Sequence, residues 1–147
     1  MSSVTVYIVN KSNNPLPFYA SDGASGLDLC AFVPESVELL PHKRFLFSTG
    51  LWIEIPIGYE AQIRPRSGLA LDSGITVLNS PGTIDADYRG EIKVLLINLG
   101  DKPVWIQNGM RIAQLVVAPV VKVSLQEVSA LNATTRNEGG FGHTGII

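Results

Sequence analysis

The sequence predicts an all-β domain, a sandwich or barrel of short strands, and three observations predict it. Apolar and β-branched runs recur along the chain, Gly, Pro and Asn interrupt them at close intervals, and only one stretch has a helical pattern. The composition agrees: 46% hydrophobic and 16% charged residues describe a globular chain, neither disordered nor fibrous. At 147 residues it is long enough for one domain with a single buried core.

In chain order, "TVYIV" opens the strand pattern. "LWIEI" follows, with Leu51, Ile53 and Ile55 on one face and Trp52 and Glu54 on the other. "YEAQI", "GITVLN", "EIKVLLINL", "VWI", "IAQLVVAPV" and "VKVSLQEV" are expected as further strands. Between them, "SGLALDS" is expected to form about two helical turns at most. The nine prolines fall mainly at strand edges and turns, where a missing N–H does least harm. No repeat, low-complexity linker or second domain is expected. Residues 1–128 form the expected barrel domain, and after Val128 the pattern lapses into an arm, 129–147, that is expected to be flexible. The arm sets Gly139, Gly140, Gly142 and Gly145 around Phe141, a cluster that makes sense where backbone must bend closely around something.

Several function classes are excluded. "VLLINL" and "LVVAPVV" fall well short of the roughly 18 apolar residues that span a bilayer. The opening "MSSVTVYIVNK" lacks a basic segment followed by an apolar one, so no membrane or export role is expected. A single cysteine, Cys30, cannot form an internal disulfide and suits the reducing cytoplasm. With a net charge of -2, a broad nucleic-acid surface is not expected, and any anionic ligand must be small and held locally.

In an all-β scaffold, binding residues concentrate on the loops, and four breaks stand out besides the arm. In "ASGLDLC", Asp28 lies between two leucines, so its carboxylate must face solvent, a partner or a metal. In "RPRSGLA", the Arg66 fork, the Ser67 hydroxyl and the Gly68 amide make a compact grip for an oxyanion. "NSPGTIDADYRG" brings Asp85 and Asp87 beside Tyr88 and Arg89 in a hairpin marked by Pro81, Gly82 and Gly90. An ionised Asp there can position a water and accept its proton, and a Tyr face can pack on a ring. Asp87 and Arg89 are expected to pair and brace the hairpin. In "NGMRIAQL", Gln114 interrupts an apolar run and either orients a ligand or points outward. His42 is expected in a surface turn, and Trp52 and Trp105 in packing or a subunit interface. The apolar faces of "EIKVLLINL" fit either a buried core strand or a trimer centre.

Taken in succession, "SGLDL", "RPRSGLA", "GTIDADYRG", "GMRIAQL" and "GGFGHTG" closely resemble the five motifs of the homotrimeric dUTPase family, from Ala24 to Gly145. The resemblance implies a jelly-roll-like β-barrel with a Gly-rich C-terminal arm, assembled as a trimer whose active sites lie between subunits. It implies hydrolysis of dUTP to dUMP and pyrophosphate, which keeps dUTP low and supplies dUMP for dTTP synthesis. By the same resemblance, Asp85 orders the attacking water and touches the sugar 3′ hydroxyl. Tyr88 packs under the deoxyribose. Asn79, with the backbone of Thr83, Ile84 and Asp85 and near Lys93, reads the uracil edge. Arg66, Ser67, Gly68 and Gln114 contact phosphates. Asp28 helps hold Mg2+ through water. In the arm, Phe141 stacks on the base, while Arg136, Gly142, His143 and Thr144 close on the terminal phosphates.

Two positions depart from the family pattern. Asn137 stands where many relatives have glycine, and His143 where many have serine; Asn still tolerates left-handed backbone, and His can still donate to a phosphate. The related dCTP deaminases carry a glutamate base five residues beyond the hairpin glycine, where this sequence has Leu95.

Overall fold

The computed structural model describes residues 3–147, so the first two residues of the expected 1–128 barrel domain lie outside it. Ten strands and one helix run in order: β1 (Tyr7–Asn10), β2 (Leu27–Cys30), β3 (Val37–Leu39), β4 (Arg44–Glu54), β5 (Tyr59–Arg64), α1 (Ser67–Ser73), β6 (Ile75–Val77), β7 (Gly82–Ile84), β8 (Glu91–Asn98), β9 (Val104–Ile106) and β10 (Arg111–Pro119). One four-stranded sheet has the order β1-β4-β8-β6 and the other β2-β10-β5-β7, with β3-β9 as a small third pair. Every pairing is antiparallel.

Period-two alternation explains how the sheets meet. In β8, Ile92, Val94 and Leu96 point inward, and in β4 Phe47, Leu51 and Ile53 do the same. They join Leu29, Ala61, Ile63, Ile84, Ile112 and Leu115 from the other sheet in one core. Phe47 is wholly buried at its centre, a burial worth about 1.5–3 kcal/mol. The expected face of "LWIEI" holds: Leu51, Ile53 and Ile55 are buried, Trp52 is half-buried and Glu54 is exposed. That strand begins earlier than its pattern, at Arg44, because a bulge between Ser48 and Trp52 resets its register on β8. Within the bulge the buried Thr49 hydroxyl donates to the Ile92 carbonyl at 2.6 Å, and the Gly50 amide donates to Glu91 Oε1 at 3.0 Å.

One buried polar side chain ties the far end together. Asn98 is fully buried, and its amide nitrogen donates to the carbonyls of Leu39 and Lys102 at 2.9 and 2.8 Å. Its oxygen accepts from the Gly100 amide at 2.9 Å, so the group is satisfied in place. His42 sits in an exposed turn at φ 63°, as expected.

One expected strand is absent. "VKVSLQEV" forms no ladder, and Val121, Val123 and Leu125 lie exposed. Its alternating pattern needs a free strand edge to pair with, and within this chain it meets none.

Candidate active site

Two clefts gather the polar residues of the loops. The first, about 290 Å³, is lined by Asn79, Gly82, Thr83, Ile84, Asp85, Tyr88 and Lys93 among others. β7 pairs with β5 through Gln62↔Thr83, and the chain leaves β7 at Asp85 in a turn closed by the Tyr88 amide donating to the Asp85 carbonyl at 3.1 Å. Among the described residues, the Asp85 carboxylate has neither an ion pair nor a hydrogen bond, so both oxygens are available to a ligand or a water. The Tyr88 hydroxyl donates to the Glu91 carbonyl at 3.1 Å, and its ring lies over Gly90. A Cβ on Gly90 would overlap that ring and hydroxyl, so glycine is what lets the tyrosine lie flat there. Lys93, on β8, reaches Glu91 at 4.0 Å.

The expected Asp87–Arg89 brace is not present. Arg89 instead donates through Nη1 to the carbonyls of Ala86 and Tyr88 at 2.7 and 3.0 Å, and its other nitrogen lies 3.8 Å from Glu54. Backbone carbonyls of the tight turn point at the guanidinium, and they hold the hairpin in place of Asp87.

The second cleft, about 310 Å³, is lined by Gly26, Asp28, Arg66, Ser67, Gly68, Arg111 and Gln114 among others. Asp28 on β2 faces neither open solvent nor a cluster of metal ligands. Its Oδ1 lies 3.3 Å from Arg66 Nε and its Oδ2 3.0 Å from Arg111 Nη1. Gln114 on β10 stands opposite Asp28, and its side-chain nitrogen donates to the Pro65 carbonyl at 3.0 Å. Gln114 therefore does not simply point outward: its side chain lines the cleft. A Cβ on Gly26 would sit 2.6 Å from Gln114 Oε1, so this glycine makes room for the glutamine. Ser67 and Gly68 open α1, whose Arg66 cap residue is extended and whose C-cap is Gly74 at φ 68°.

Arg111 went unremarked in the sequence, although it sits in the quoted "GMRIAQL". A regular strand would turn it away from Gln114, and only the register shift between Arg111 and Ala113 brings both to one cleft. Nearby, burial, and then the Asp28 charge, push the Cys30 thiol above its ordinary range.

The arm lines neither cleft. It is a run of tight turns: the amides of Gly139, His143 and Gly145 donate to the carbonyls of Arg136, Gly140 and Gly142. Asn137 has φ 44°, so the left-handed bend expected there is made, and Phe141 also has positive φ, at 43°. Arg136, Phe141, His143 and Thr144 are all exposed. No residue lines both clefts, so Asp85 and the Arg66 grip stand apart within one chain.

Among the described residues, no group of three His, Cys, Asp or Glu side chains could hold a metal ion. The donor chemistry of Asp28 nonetheless fits an outer-sphere contact. Each carboxylate oxygen retains a lone pair beyond its arginine, which a metal-bound water can use.

Comparisons with known proteins follow the same geometry. The dUTPase family model matches residues 12–145. The deoxyuridine 5'-triphosphate nucleotidohydrolase of Hydrogenobaculum sp. (strain Y04AAS1) is 64% identical over 131 residues, 89% of this chain and 90% of that protein. The protein of the same name from Cytophaga hutchinsonii is 57% identical over 143 residues, 97% of this chain and 93% of its own. Among solved structures, a mutant Staphylococcus bacteriophage 80alpha dUTPase with dUpNHpp superposes with a TM-score of 0.87 at 23% identity, covering 97% of this chain and 99% of the phage protein. A mutant dUTPase of phage phi11 of S. aureus, described with a structural Mg(II) ion, has a TM-score of 0.77 at 22% identity, covering 86% and 97%.

Proposed function

The chain belongs to the dUTPase family and is a dUTP nucleotidohydrolase; we propose that it releases pyrophosphate by aiming a water from Asp85 at the α-phosphorus. The observation that carries this reading is the unpartnered carboxylate of Asp85, set in a cleft with the Tyr88 ring and the Asn79 amide. Water attacks phosphorus in line as Asp85 takes its proton. A new P–O bond forms on dUMP, and the bond to the bridging oxygen breaks, with pyrophosphate leaving.

The remaining roles follow from position. Asn79 and the backbone of Thr83, Ile84 and Asp85, beside Lys93, are suited to a uracil edge, and the flat Tyr88 ring to a deoxyribose without a 2′ hydroxyl. Arg66, Ser67, Gly68 and Gln114 present donors to the phosphates and stabilise the charge that develops on them. The arm brings Phe141 over the base and Arg136, Gly142, His143 and Thr144 to the terminal phosphates, ordering from a mobile state as it closes. Asp28 would contact Mg2+ through a water, and when bound that ion supplies charge neutralisation to the triphosphate.

Assembly completes the site. Because Asp85 and the phosphate donors line separate clefts, one chain alone does not surround a triphosphate; a homotrimer in which copies supply different clefts does. The exposed Val121, Val123, Leu125, Val128 and Leu131 support such an assembly, since free monomers rarely leave so much apolar surface in water. Cys30, without a partner, suits the cytoplasm. Leu95, where a deaminase would need its base, is paired with Leu46 in the β4–β8 ladder.

The test is a panel of dUTP, dTTP, UTP and dCTP, with and without Mg2+, scored for pyrophosphate and ammonia. Strong preference for dUTP, with no ammonia from dCTP, is the expected outcome. Equal turnover of UTP would remove Tyr88 from sugar selection, and ammonia from dCTP would overturn the reaction class.

A further inference from the structure

One guanidinium in the phosphate cleft, that of Arg111, has no part in the hydrolysis just described. Its placement is costly to arrange. Residues three apart on a regular strand face opposite ways, yet Arg111 and Gln114 line the same cleft because β10 shifts register on β2 between Arg111 and Ala113. The shift leaves Ile112 and Ala113 both buried, which anchors the irregularity in the core.

Arg111 then holds Arg66 from two directions. Its Nη1 lies 3.0 Å from Asp28 Oδ2, while the other oxygen of that carboxylate lies 3.3 Å from Arg66 Nε. Its backbone carbonyl accepts from Arg66 Nη1 at 3.3 Å. Among the described residues, Arg66 Nη2 has no protein partner, so this nitrogen is left to face a ligand. The Asp28 side chain is only 15% exposed, whereas that of Arg111 is 50% exposed. An ion pair this open to water contributes little to stability, too little to explain the arrangement. An arginine otherwise free to sample many rotamers is held in one orientation, so a ligand meets it without that ordering cost.

We propose that Arg111 is a positioning residue for this hydrolysis: through Asp28 and through its own carbonyl it fixes the Arg66 fork so that one nitrogen meets the triphosphate. The inference rests on the hydrolase reading, and its test separates the two. Arg111→Gln and Arg111→Lys are made in the unaltered chain and in an Arg66→Gln background. Each is measured for pyrophosphate release from dUTP, preference for dUTP over dTTP, calorimetric affinity for dUpNHpp, and thermal melting.

In the unaltered background, Arg111→Gln is expected to lower kcat/KM about tenfold to a hundredfold, the cost of a misplaced binding group. Arg111→Lys, which keeps the charge facing Asp28, should recover most of that loss; the backbone carbonyl is unchanged in both variants. In the Arg66→Gln background the same Arg111→Gln change should cost less than about threefold, because the group it positions is gone. Base preference and melting should not change. Equal losses in both backgrounds, a loss under about twofold in the first, or a collapse of base preference would each overturn the proposal. If the unaltered chain proves inert toward dUTP, the hydrolase reading fails, and the same cycle measured as dUpNHpp affinity still decides whether Arg111 acts through Arg66.

Discussion

The barrel and the chain that leaves it after Pro119 use the same residue types and reach opposite outcomes. In β8, Ile92, Val94 and Leu96 alternate into the core with at most 1% exposure, whereas Val121, Val123 and Leu125, at the same spacing, are 85%, 75% and 92% exposed. β8 has β4 on one side and β6 on the other. The later segment has no neighbouring strand. Alternation decides which face a side chain would take; a free edge decides whether a strand exists at all.

Glycines repeat the contrast. Gly50 and Gly142 both have left-handed backbone, at φ 69° and 89°. A Cβ on Gly50 would lie 2.8 Å from Ser12 Cβ and 2.9 Å from the Phe32 ring, while one on Gly142 would meet open space. The barrel glycine is bound into packing and the arm glycine only into a turn. Changes in the packed core of the barrel should therefore register as lost stability, and changes in the arm as lost turnover.

The largest expected effect belongs to the barrel. Phe47→Ala should destabilise the protein by about 3–5 kcal/mol, measured by urea unfolding, because it opens a cavity at a fully buried site. A loss under about 1 kcal/mol would mean that the two sheets do not share one rigid core. Truncation after Val128 should do the reverse. Melting should persist, while kcat/KM for dUTP falls by roughly 10² or more, the usual cost of a lost charge-stabilising donor. If truncation unfolds the protein, the arm is part of the fold and the contrast breaks.

Much of this division was legible in the sequence. The long strands and the single short helix follow from periodicity and glycine spacing, whereas the last strand ends at Pro119 and not at the Val128 where the pattern was expected to lapse. Three of the shortest strands, β2, β3 and β7, were not singled out as strands, because three or four residues seldom carry enough pattern to distinguish them from loop. "VKVSLQEV" misled for the opposite reason: its pattern is clear, but it pairs with no strand among the described residues. In the site, Asp28, Arg66 and Gln114 were found together, as their order suggested. Arg111 was missed because no sequence rule announces a one-residue register shift, and the Asp87–Arg89 pair was wrongly expected because neighbouring charges in a tight turn need not face each other. The separation of Asp85 from the phosphate grip is a fact of three-dimensional placement that residue order does not contain.

The central claim is that a carboxylate at the end of β7 aims water at a phosphorus held by groups from elsewhere. Asp85→Asn tests it most directly, with pyrophosphate release from dUTP as the readout and dUpNHpp affinity and melting as controls. Turnover should fall by about 10² to 10⁴, the contribution of a positioned general base, with affinity and melting unchanged. A folded, ligand-binding variant that still hydrolyses dUTP at near the original rate would contradict the claim.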